Sequence, residues 1–145
     1  MVITFSAVLF GLLALIKPLQ KNRFYILNSA LIIGLAYVVE HNYFRTTPFA
    51  PKTFLLLVVF QFITINFTTF LAYYVDKRAA KRGEYRIPES DLHTLEFLGG
   101  TLGALLGQKI LHHKNKKKSY QFIFHFLIVV QIIAIIAILR YLHLI

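Results

Sequence analysis

The hydrophobic residues of this chain form four long runs without formal charge. Residues 2–16, 24–39, 53–75 and 119–139 contain no Asp, Glu, Lys or Arg. An α-helix needs about 20 apolar residues to cross roughly 30 Å of hydrocarbon, and the third run, with 23 residues, meets this requirement best. The pattern predicts an all-α, multi-pass membrane protein with four membrane-spanning helices.

The first run is interpreted as a retained helix and not as a signal peptide. A signal peptide has its basic residues before the apolar stretch and a small-residue cleavage site after it. Here the positive charge follows the run, at Lys17. Residues 1–52 are expected to form a two-helix membrane hairpin with an outer loop, and residues 53–145 are expected to form the core of the protein.

The composition agrees with a membrane location and excludes several kinds of site. Hydrophobic residues make up 57% of the chain, whereas soluble domains contain about 45–50%. Cysteine is absent, which excludes disulfides, thiolate zinc sites and cysteine nucleophiles. The formal net charge of +10 suggests contact with the anionic inner leaflet of a membrane.

A fifth apolar stretch, LEFLGGTLGALLGQKILHHKNKKK at residues 95–118, is ambiguous. It contains Glu96 and four of the seven glycines, and it ends in a block of positive charge. If the stretch does not cross the membrane, 13 of the 16 Lys and Arg residues lie on one side, and if it crosses, the split is 9 to 7. Because short cytoplasmic loops carry an excess of Lys and Arg, the count favours a re-entrant segment from the cytoplasmic side or an interfacial one, with both termini outside. Five spans are the alternative.

The glycines of this stretch fit two arrangements. Gly99 and Gly100 could bend the chain between two limbs, and residues 101–111 would then form a helix about 16 Å long, half a bilayer. Gly99, Gly103 and Gly107 also repeat every four residues, a spacing that lets another helix pack closely. The sequence leaves open whether these glycines form a bend or a packing surface.

Polar residues follow one face of the third predicted span. The residues three or four positions apart, which share one stripe of a helix, are Asn66, Thr69, Tyr73 and Asp76. The stripe is expected to face the interior of a bundle, with Asn66 bonded to a neighbouring helix. Alternatively, it forms a polar path from the middle of the membrane to the inner surface.

The sequence RIPE, from Arg86 to Glu89, predicts a turn into a helix. Pro88 disfavours helical geometry in the residue before it and suits the first turn of a helix. Glu89 would then lie near the start of the helix, where the dipole favours negative charge. Pairing with Asp76 and Lys77 is an alternative role for the two charged residues of this turn.

Glu89, His93 and Glu96 are spaced so that one helix face could present all three. Two carboxylates and an imidazole on a single face rarely make a complete metal site, so neither a metal nor another cofactor is predicted. A Glu–His pair for proton transfer is the other chemistry that this face allows. No GxSxG, P-loop or metalloprotease motif occurs in the sequence.

Three stretches between residues 66 and 139 carry a recognisable pattern: DKRAAKRGEYRIPESDLH, LGGTLGALLGQ and HHKNKKKSYQ. The pattern resembles the small membrane-protein family known as domain of unknown function 1294. By this resemblance the family positions are Asp76, Lys77, Ala80, Arg86, Pro88, Glu89, Gly99, Gly100, Gly103, His113 and Lys114. Glu96 departs from the pattern, because the resemblance implies an apolar residue there. The resemblance implies no activity, and no nucleic-acid function transfers, because two apolar helices replace the cold-shock domain that precedes some relatives.

A cytosolic-face site for an anionic group is the function predicted from these residues. Basic side chains suit phosphate, and a half-helix presents its backbone dipoles to such a group. The expected ligand is a lipid headgroup or a polyprenyl phosphate, and the expected location is the inner (cell) membrane of a bacterium. The predicted ligand-binding residues are Lys77, Arg86, His113 and Lys114, supported by Asn66, Tyr73, Asp76, Pro88 and Glu89.

Two other functions stay open, and the basic run after the glycine-rich stretch allows two kinds of partner. A membrane enzyme would use Asp76, Glu89 or His93 as acid or base, and a scaffold would pair copies as a homo-oligomer through the glycine repeat. The run HHKNKKKSY is expected to meet anionic lipids, at about 1 kcal/mol per charge. Nucleic-acid phosphates would attract the same lysines, but no RNP-type strand or zinc finger supports that partner.

Overall fold

A computed structural model describes residues 22–42 and 51–141 and the single positions 8 and 12, with side chains from residue 55 onward in the second range. In this part of the chain the regular structure is helical throughout: α1 is Arg23–Asn42, α2 is Pro51–Arg82, α3 is Glu89–Leu95, α4 is Thr101–Leu111 and α5 is Lys118–Tyr141. The chain divides into two compact units, Met1–Thr68 and Thr69–Ile145, and the division falls inside α2.

Among the described residues, three helices are long and apolar enough to cross a membrane: Arg23–Asn42, Leu55–Arg82 and Lys118–Tyr141. They coincide with the predicted runs at residues 24–39, 53–75 and 119–139. The prediction of an all-α protein with these candidate spans is therefore confirmed. The first predicted run, residues 2–16, lies outside the described residues, so a count of four spans stays a prediction.

The first unit provides apolar packing. α1 begins at Arg23 because the side-chain oxygen of Asn22 caps it, accepting a hydrogen bond from the backbone N–H of Phe24 at 3.1 Å. Ile32 and Ala36 of α1 pack with Phe60 of α2 in a small core. This unit contains none of the charged residues predicted for the site.

In the second unit, the glycine-rich segment is bent. Gly83, with a left-handed φ of +69°, follows the end of α2. α3 begins at Glu89 directly after Pro88, which confirms the predicted turn into a helix. A π-helical turn, Glu96–Gly100, follows α3, and within it Gly99 has a φ of +111° that interrupts the helix before α4. The chain therefore bends at the double glycine, between the short helices α3 and α4. Residues 89–111 are called the bent segment below.

A side chain of α5 binds the backbone at the bend. Nε2 of Gln131 donates to the backbone carbonyls of Glu96 (2.6 Å) and Phe97 (3.1 Å). The hydroxyl of Thr101 in turn donates to Oε1 of Gln131 at 3.0 Å. Because an unpaired backbone group is costly in apolar surroundings, Gln131 stabilises the bend.

Two glycines of the segment lie directly against α2. A Cβ added at Gly100 would be 2.9 Å from Cβ of Thr69, and one added at Gly107 would be 2.8 Å from Cβ of Tyr73. Real Cβ atoms essentially never come within 3.0 Å of other heavy atoms, so a larger residue at either position would force the helices apart. The glycines therefore provide both a bend, at Gly99, and a packing surface, at Gly100 and Gly107.

Candidate functional site

Asp76, near the end of α2, joins the two ends of the bent segment, and its side chain is fully buried. Oδ1 accepts a hydrogen bond from the backbone N–H of Ile87 at 3.0 Å. Oδ2 accepts hydrogen bonds from the guanidinium of Arg86 (3.3 Å) and from Nε2 of His113 (2.6 Å). The ammonium of Lys114 lies 3.6 Å from the same oxygen. The loop before α3 and the loop after α4 therefore meet at one carboxylate.

The loop after α4 reaches Asp76 through two residues with left-handed backbone. The φ angles are +48° at His112 and +62° at Lys114, values that residues other than glycine seldom adopt. The side chain of Lys114 is only 7% exposed, and its Nζ also donates to Glu89 at 3.0 Å. This loop geometry brings a buried ammonium between two carboxylates.

Glu89, the first residue of α3, is bound by two lysines of that loop. Nζ of Lys117 lies 2.8 Å from both carboxylate oxygens, and Nζ of Lys114 lies 3.0 Å from one of them. The hydrogen bond from Lys117 holds the pKa of Glu89 below its ordinary value against the opposing effect of burial, and Lys114 lowers this pKa further. Glu89 therefore ties the start of α3 to the loop after α4.

An open cavity of about 700 Å³ lies between the two loops. Four of its lining side chains are Lys or Arg and one is a carboxylate, a balance of +3 with neutral histidines. Arg86 and Lys117 leave 49% and 54% of their side chains exposed, so these cations have room for a ligand. The full lining consists of Arg86, Glu89, His112, His113, Lys114, Asn115, Lys116 and Lys117.

Lys77, the fourth predicted ligand-binding residue, lies outside this cavity. Its Nζ donates to the backbone carbonyl of Leu111 at the end of α4. Of the two pairings considered from the sequence, Arg86 with Asp76 is present, whereas Glu89 binds the lysines of the loop instead of Lys77. A separate groove of about 240 Å³ is lined by Tyr74, Lys77, Arg78, Lys81 and Leu111.

A second polar cluster surrounds Glu96, whose side chain is fully buried. Its Oε1 lies 2.6 Å from the hydroxyls of both Tyr73 and Tyr120, and these two hydroxyls are 2.7 Å apart. Its Oε2 lies 2.6 Å from Nδ1 of His93. Nε2 of Gln108 donates to the hydroxyl of Tyr73 at 3.3 Å. Side chains from α2, α3 and α5 therefore contact one carboxyl group, and Gln108 of α4 contacts one of its tyrosine partners.

The polar stripe predicted on α2 contributes to both clusters. Tyr73 and Asp76 are buried at their centres, and Thr69 is buried one turn earlier. Asn66 is half-buried, and its Nδ2 donates to the carbonyl of Phe62 in its own helix at 2.7 Å. The stripe therefore faces the interior of its unit from Thr69 to Asp76.

Sequence reasoning missed Glu96 as a site residue, together with Tyr120 and Gln108. The available signal was a single carboxylate within the apolar residues 92–111, because an ionisable residue in such a segment is a candidate for function. The three residues that could share one helix face divide between two sets of contacts: His93 contacts Glu96, and Glu89 contacts lysines. In the part of the chain that the structure describes, no group of three or more His, Asp or Glu side chains could hold a metal ion.

The sequence of this region is similar to that of other proteins. Residues 66–120 match the family described as "Protein of unknown function (DUF1294)". The "Uncharacterized protein YsdA" of Bacillus subtilis (strain 168) is 30% identical over 80 residues, which cover 55% of this chain and 90% of that relative. No solved structure matches. The cavity and all five side chains of the Glu96 cluster lie within the matched residues.

Proposed function

This chain belongs to the family described as "Protein of unknown function (DUF1294)", and because that description names no activity, we propose a function from the chain's own geometry. The protein is a multi-pass membrane protein that binds or transports an anionic group in its basic cavity. The ligand is a lipid headgroup or a polyprenyl phosphate. The observation that carries the proposal is the balance of four permanent cations against one carboxylate around this cavity.

The cavity offers donors that suit a phosphate group. Arg86 makes a single 3.3 Å contact with Asp76 and keeps about half of its side chain exposed, and a guanidinium fork matches two phosphate oxygens. Lys116 lines the same cavity and is exposed. Asp76 binds His113 and Lys114 from the buried side, so it would position the binding residues without contacting the ligand.

The cavity is proposed to lie at the cytosolic surface of the membrane. Its loops carry the dense Lys and Arg clusters that are typical of cytoplasmic loops. The family positions His113 and Lys114 then share that surface with Asp76 and Arg86. With the three candidate spans and the run at residues 2–16, the proposed topology has four spans in the inner membrane of a bacterial cell.

The bent segment is proposed to be re-entrant. Both of its ends meet at Asp76, and Thr101, just beyond the bend, contacts Gln131. Gln131 lies 13 residues after Lys118, a distance of about 20 Å along α5. α4, with 11 residues, is about 16 Å long and would reach roughly the middle of a 30 Å hydrocarbon core.

Lipid analysis of the gently purified full-length chain tests the ligand. We expect an anionic phospholipid or a polyprenyl phosphate to be enriched over its abundance in the membrane. Arg86→Gln/Lys116→Gln should reduce its recovery roughly tenfold or more, because each cation near the surface contributes about 1 kcal/mol. The matched control, Arg78→Gln/Lys81→Gln, removes the same charge from α2 outside the cavity and should retain the lipid.

Three outcomes would contradict the proposal: no enriched anionic lipid in the wild type, retention in the cavity variant, or equal loss from both variants. Inorganic phosphate tests whether the bound anion comes from solution instead of from a lipid. If phosphate binds the wild type in detergent micelles, is lost only in the cavity variant and no lipid co-purifies, the anion comes from solution and the lipid assignment is wrong.

Cysteine labelling tests the membrane arrangement, because the native chain has no cysteine. Single cysteines at Asn42 and Asn115 would be labelled from outside intact cells with a membrane-impermeant reagent. Labelling at Asn42 alone is expected. Labelling at both positions would mean that the glycine-rich segment crosses the membrane and that the chain has five spans.

A further inference from the structure

The cluster around Glu96 does not line the anion cavity, and its geometry points to a different ligand. Oε1 of Glu96 and the hydroxyls of Tyr73 and Tyr120 form a triangle with sides of 2.6, 2.6 and 2.7 Å. These lengths are typical of O–H···O hydrogen bonds. Oxygen atoms around a Mg²⁺ ion, each about 2.0–2.1 Å from the metal in an octahedron, would be about 3 Å apart. The triangle therefore fits protons and not a metal ion.

The number of available hydrogen atoms decides whether each pair of oxygen atoms in the triangle can form a hydrogen bond. Its three sides need three protons, and the two tyrosine hydroxyls supply two. If Glu96 is ionised, one pair of oxygen atoms lies at hydrogen-bond distance with no hydrogen between them. If Oε1 is protonated, three O–H groups donate around the triangle and each side is filled. We infer that Glu96 is a proton-binding site whose neutral carboxyl group is held by Tyr73 and Tyr120.

The contact on the other carboxyl oxygen is compatible with this assignment. Nδ1 of His93 lies 2.6 Å from Oε2 of Glu96, while Nε2 is buried without a hydrogen-bond partner. A cationic ring would have an N–H at both nitrogens and would leave one of them buried and unpaired, at a cost of about 1–3 kcal/mol or more. A neutral ring donates from Nδ1 to Oε2 and leaves only a lone pair at Nε2. The contact therefore argues against a cationic His93 beside an ionised Glu96, which agrees with the count of protons at the triangle.

The surroundings of Glu96 also favour the neutral acid, because a buried carboxylate is costly unless a cation pairs with it. Lys114 is the cation that reaches the edge of the cluster, with its Nζ 5.5 Å from the centre of the Tyr120 ring. This ammonium is already paired with Asp76 and Glu89. Tyr73, His93 and Tyr120 are hydrogen-bonded to Glu96, and Gln108 is hydrogen-bonded to Tyr73. Outside these residues, the ring of His113 lies edge-on to that of Tyr73, with the ring centres 6.4 Å apart, and Gln121 donates to Gln108 at 2.7 Å.

Proton release would change how the bent segment is held. Loss of one proton leaves a negative charge at Glu96 and removes one of the three hydrogen bonds of the triangle. This triangle joins the bent segment to α2 and α5. His93, with 14% of its side chain exposed, is the most exposed member of the cluster. The site is independent of the proposed anion function, because Glu96 lies outside the cavity.

Infrared spectroscopy of the purified full-length chain tests this inference. At about pH 7 exposed carboxyl groups, with pKa values near 4, are ionised, so the C=O stretch of a protonated carboxyl group reports a protected one. We expect this band in the wild type, with a shift in D₂O that demonstrates exchange. Glu96→Gln should lose the band. Glu89→Gln, which removes a carboxyl group from the same segment, should retain it.

Tyr120→Phe provides a second readout, because it removes one corner of the triangle without adding bulk. The band should then shift in frequency, because the carboxyl group loses one hydrogen-bond partner. Circular dichroism and gel filtration identify the variants that fold as the wild type does. A folded wild type without the band at about pH 7, a band that survives Glu96→Gln, or a band that does not shift in D₂O would each overturn the inference.

Discussion

Asp76→Asn is the substitution that most directly tests how the bent segment is held. Asn keeps an acceptor for the backbone N–H of Ile87 but removes the charge that binds Arg86, His113 and Lys114. The side chain of Arg86 is 49% exposed, so its ion pair with Asp76 contributes at most about 1 kcal/mol to the free energy of unfolding. His113 and Lys114 are only 12% and 7% exposed. The hydrogen bond from His113 to the charged carboxylate contributes about 1.5–3 kcal/mol, and Lys114 adds an ion pair at 3.6 Å.

The expected loss is about 3 kcal/mol of unfolding free energy. Removing one member of a buried ion pair typically costs about 3–5 kcal/mol, and the lower end applies because Glu89 still pairs with Lys114. A loss of this size shifts the unfolding equilibrium roughly a hundredfold. Equilibrium unfolding in mixed detergent micelles, followed by circular dichroism, measures it.

Glu84→Gln is the matched control for this substitution. Glu84 lies 3.7 Å from Arg82, and both side chains are more than half exposed, so the loss should be below about 1 kcal/mol. If Asp76→Asn destabilises the protein no more than Glu84→Gln does, the buried carboxylate does not hold the two loops together.

Three further predictions follow from the same unit. Gly107→Ala places a Cβ 2.8 Å from the side chain of Tyr73 and should destabilise the protein by about 1–3 kcal/mol in the same unfolding assay. Gln131→Leu leaves the carbonyls at the bend without their donor and should cost about 1–3 kcal/mol. Lys117 lowers the pKa of Glu89 in the folded protein. The stabilisation that ionised Glu89 provides is therefore complete above its ordinary pKa of about 4.3 and is lost as the pH falls through the lowered pKa. Glu89→Gln should for this reason flatten the loss of stability in acid.

Each of these predictions has an internal comparison. Gly34 has no heavy atom within 4 Å of an added Cβ, so Gly34→Ala should be neutral or stabilising; equal destabilisation at Gly107 and Gly34 would contradict the packing argument. Gln131→Glu keeps the size of the side chain but removes the amide donor, so it should be no better than Gln131→Leu. An acid profile that is identical in wild type and Glu89→Gln would show that this carboxylate does not contribute.

The long helices were predictable from the sequence because freedom from charge over about 20 residues is a local property. The start of α3 was predictable for a similar reason, since the geometric restriction that Pro88 imposes does not depend on the rest of the fold. The bend at the double glycine was one of two arrangements that the spacing allowed. The structure contains both, because Gly99 bends the chain while Gly100 and Gly107 pack against α2.

The pairing of charges was harder to predict, because it depends on the path of a loop. Lys77 and Lys114 are both basic family positions, but only Lys114 reaches Asp76, through a left-handed backbone conformation that composition does not reveal. Glu96 departs from the family pattern, because the resemblance implied an apolar residue at that position. Its partners Tyr73 and Tyr120 lie 23 and 24 residues away, so no local pattern identified the cluster.

One face of α2 determines where each part of the bent segment lies. Thr69 packs against Gly100 at the bend, Tyr73 contacts Glu96, and Asp76 binds both ends of the segment. These residues of α2 span seven positions, or about 10 Å along the helix. The segment is therefore held both at the bend and at its ends by independent contacts. For this reason loss of Asp76 should open the loops around the cavity while the packing at Thr69 keeps the bend in place, and the proton-binding cluster between them should respond to a change at either end.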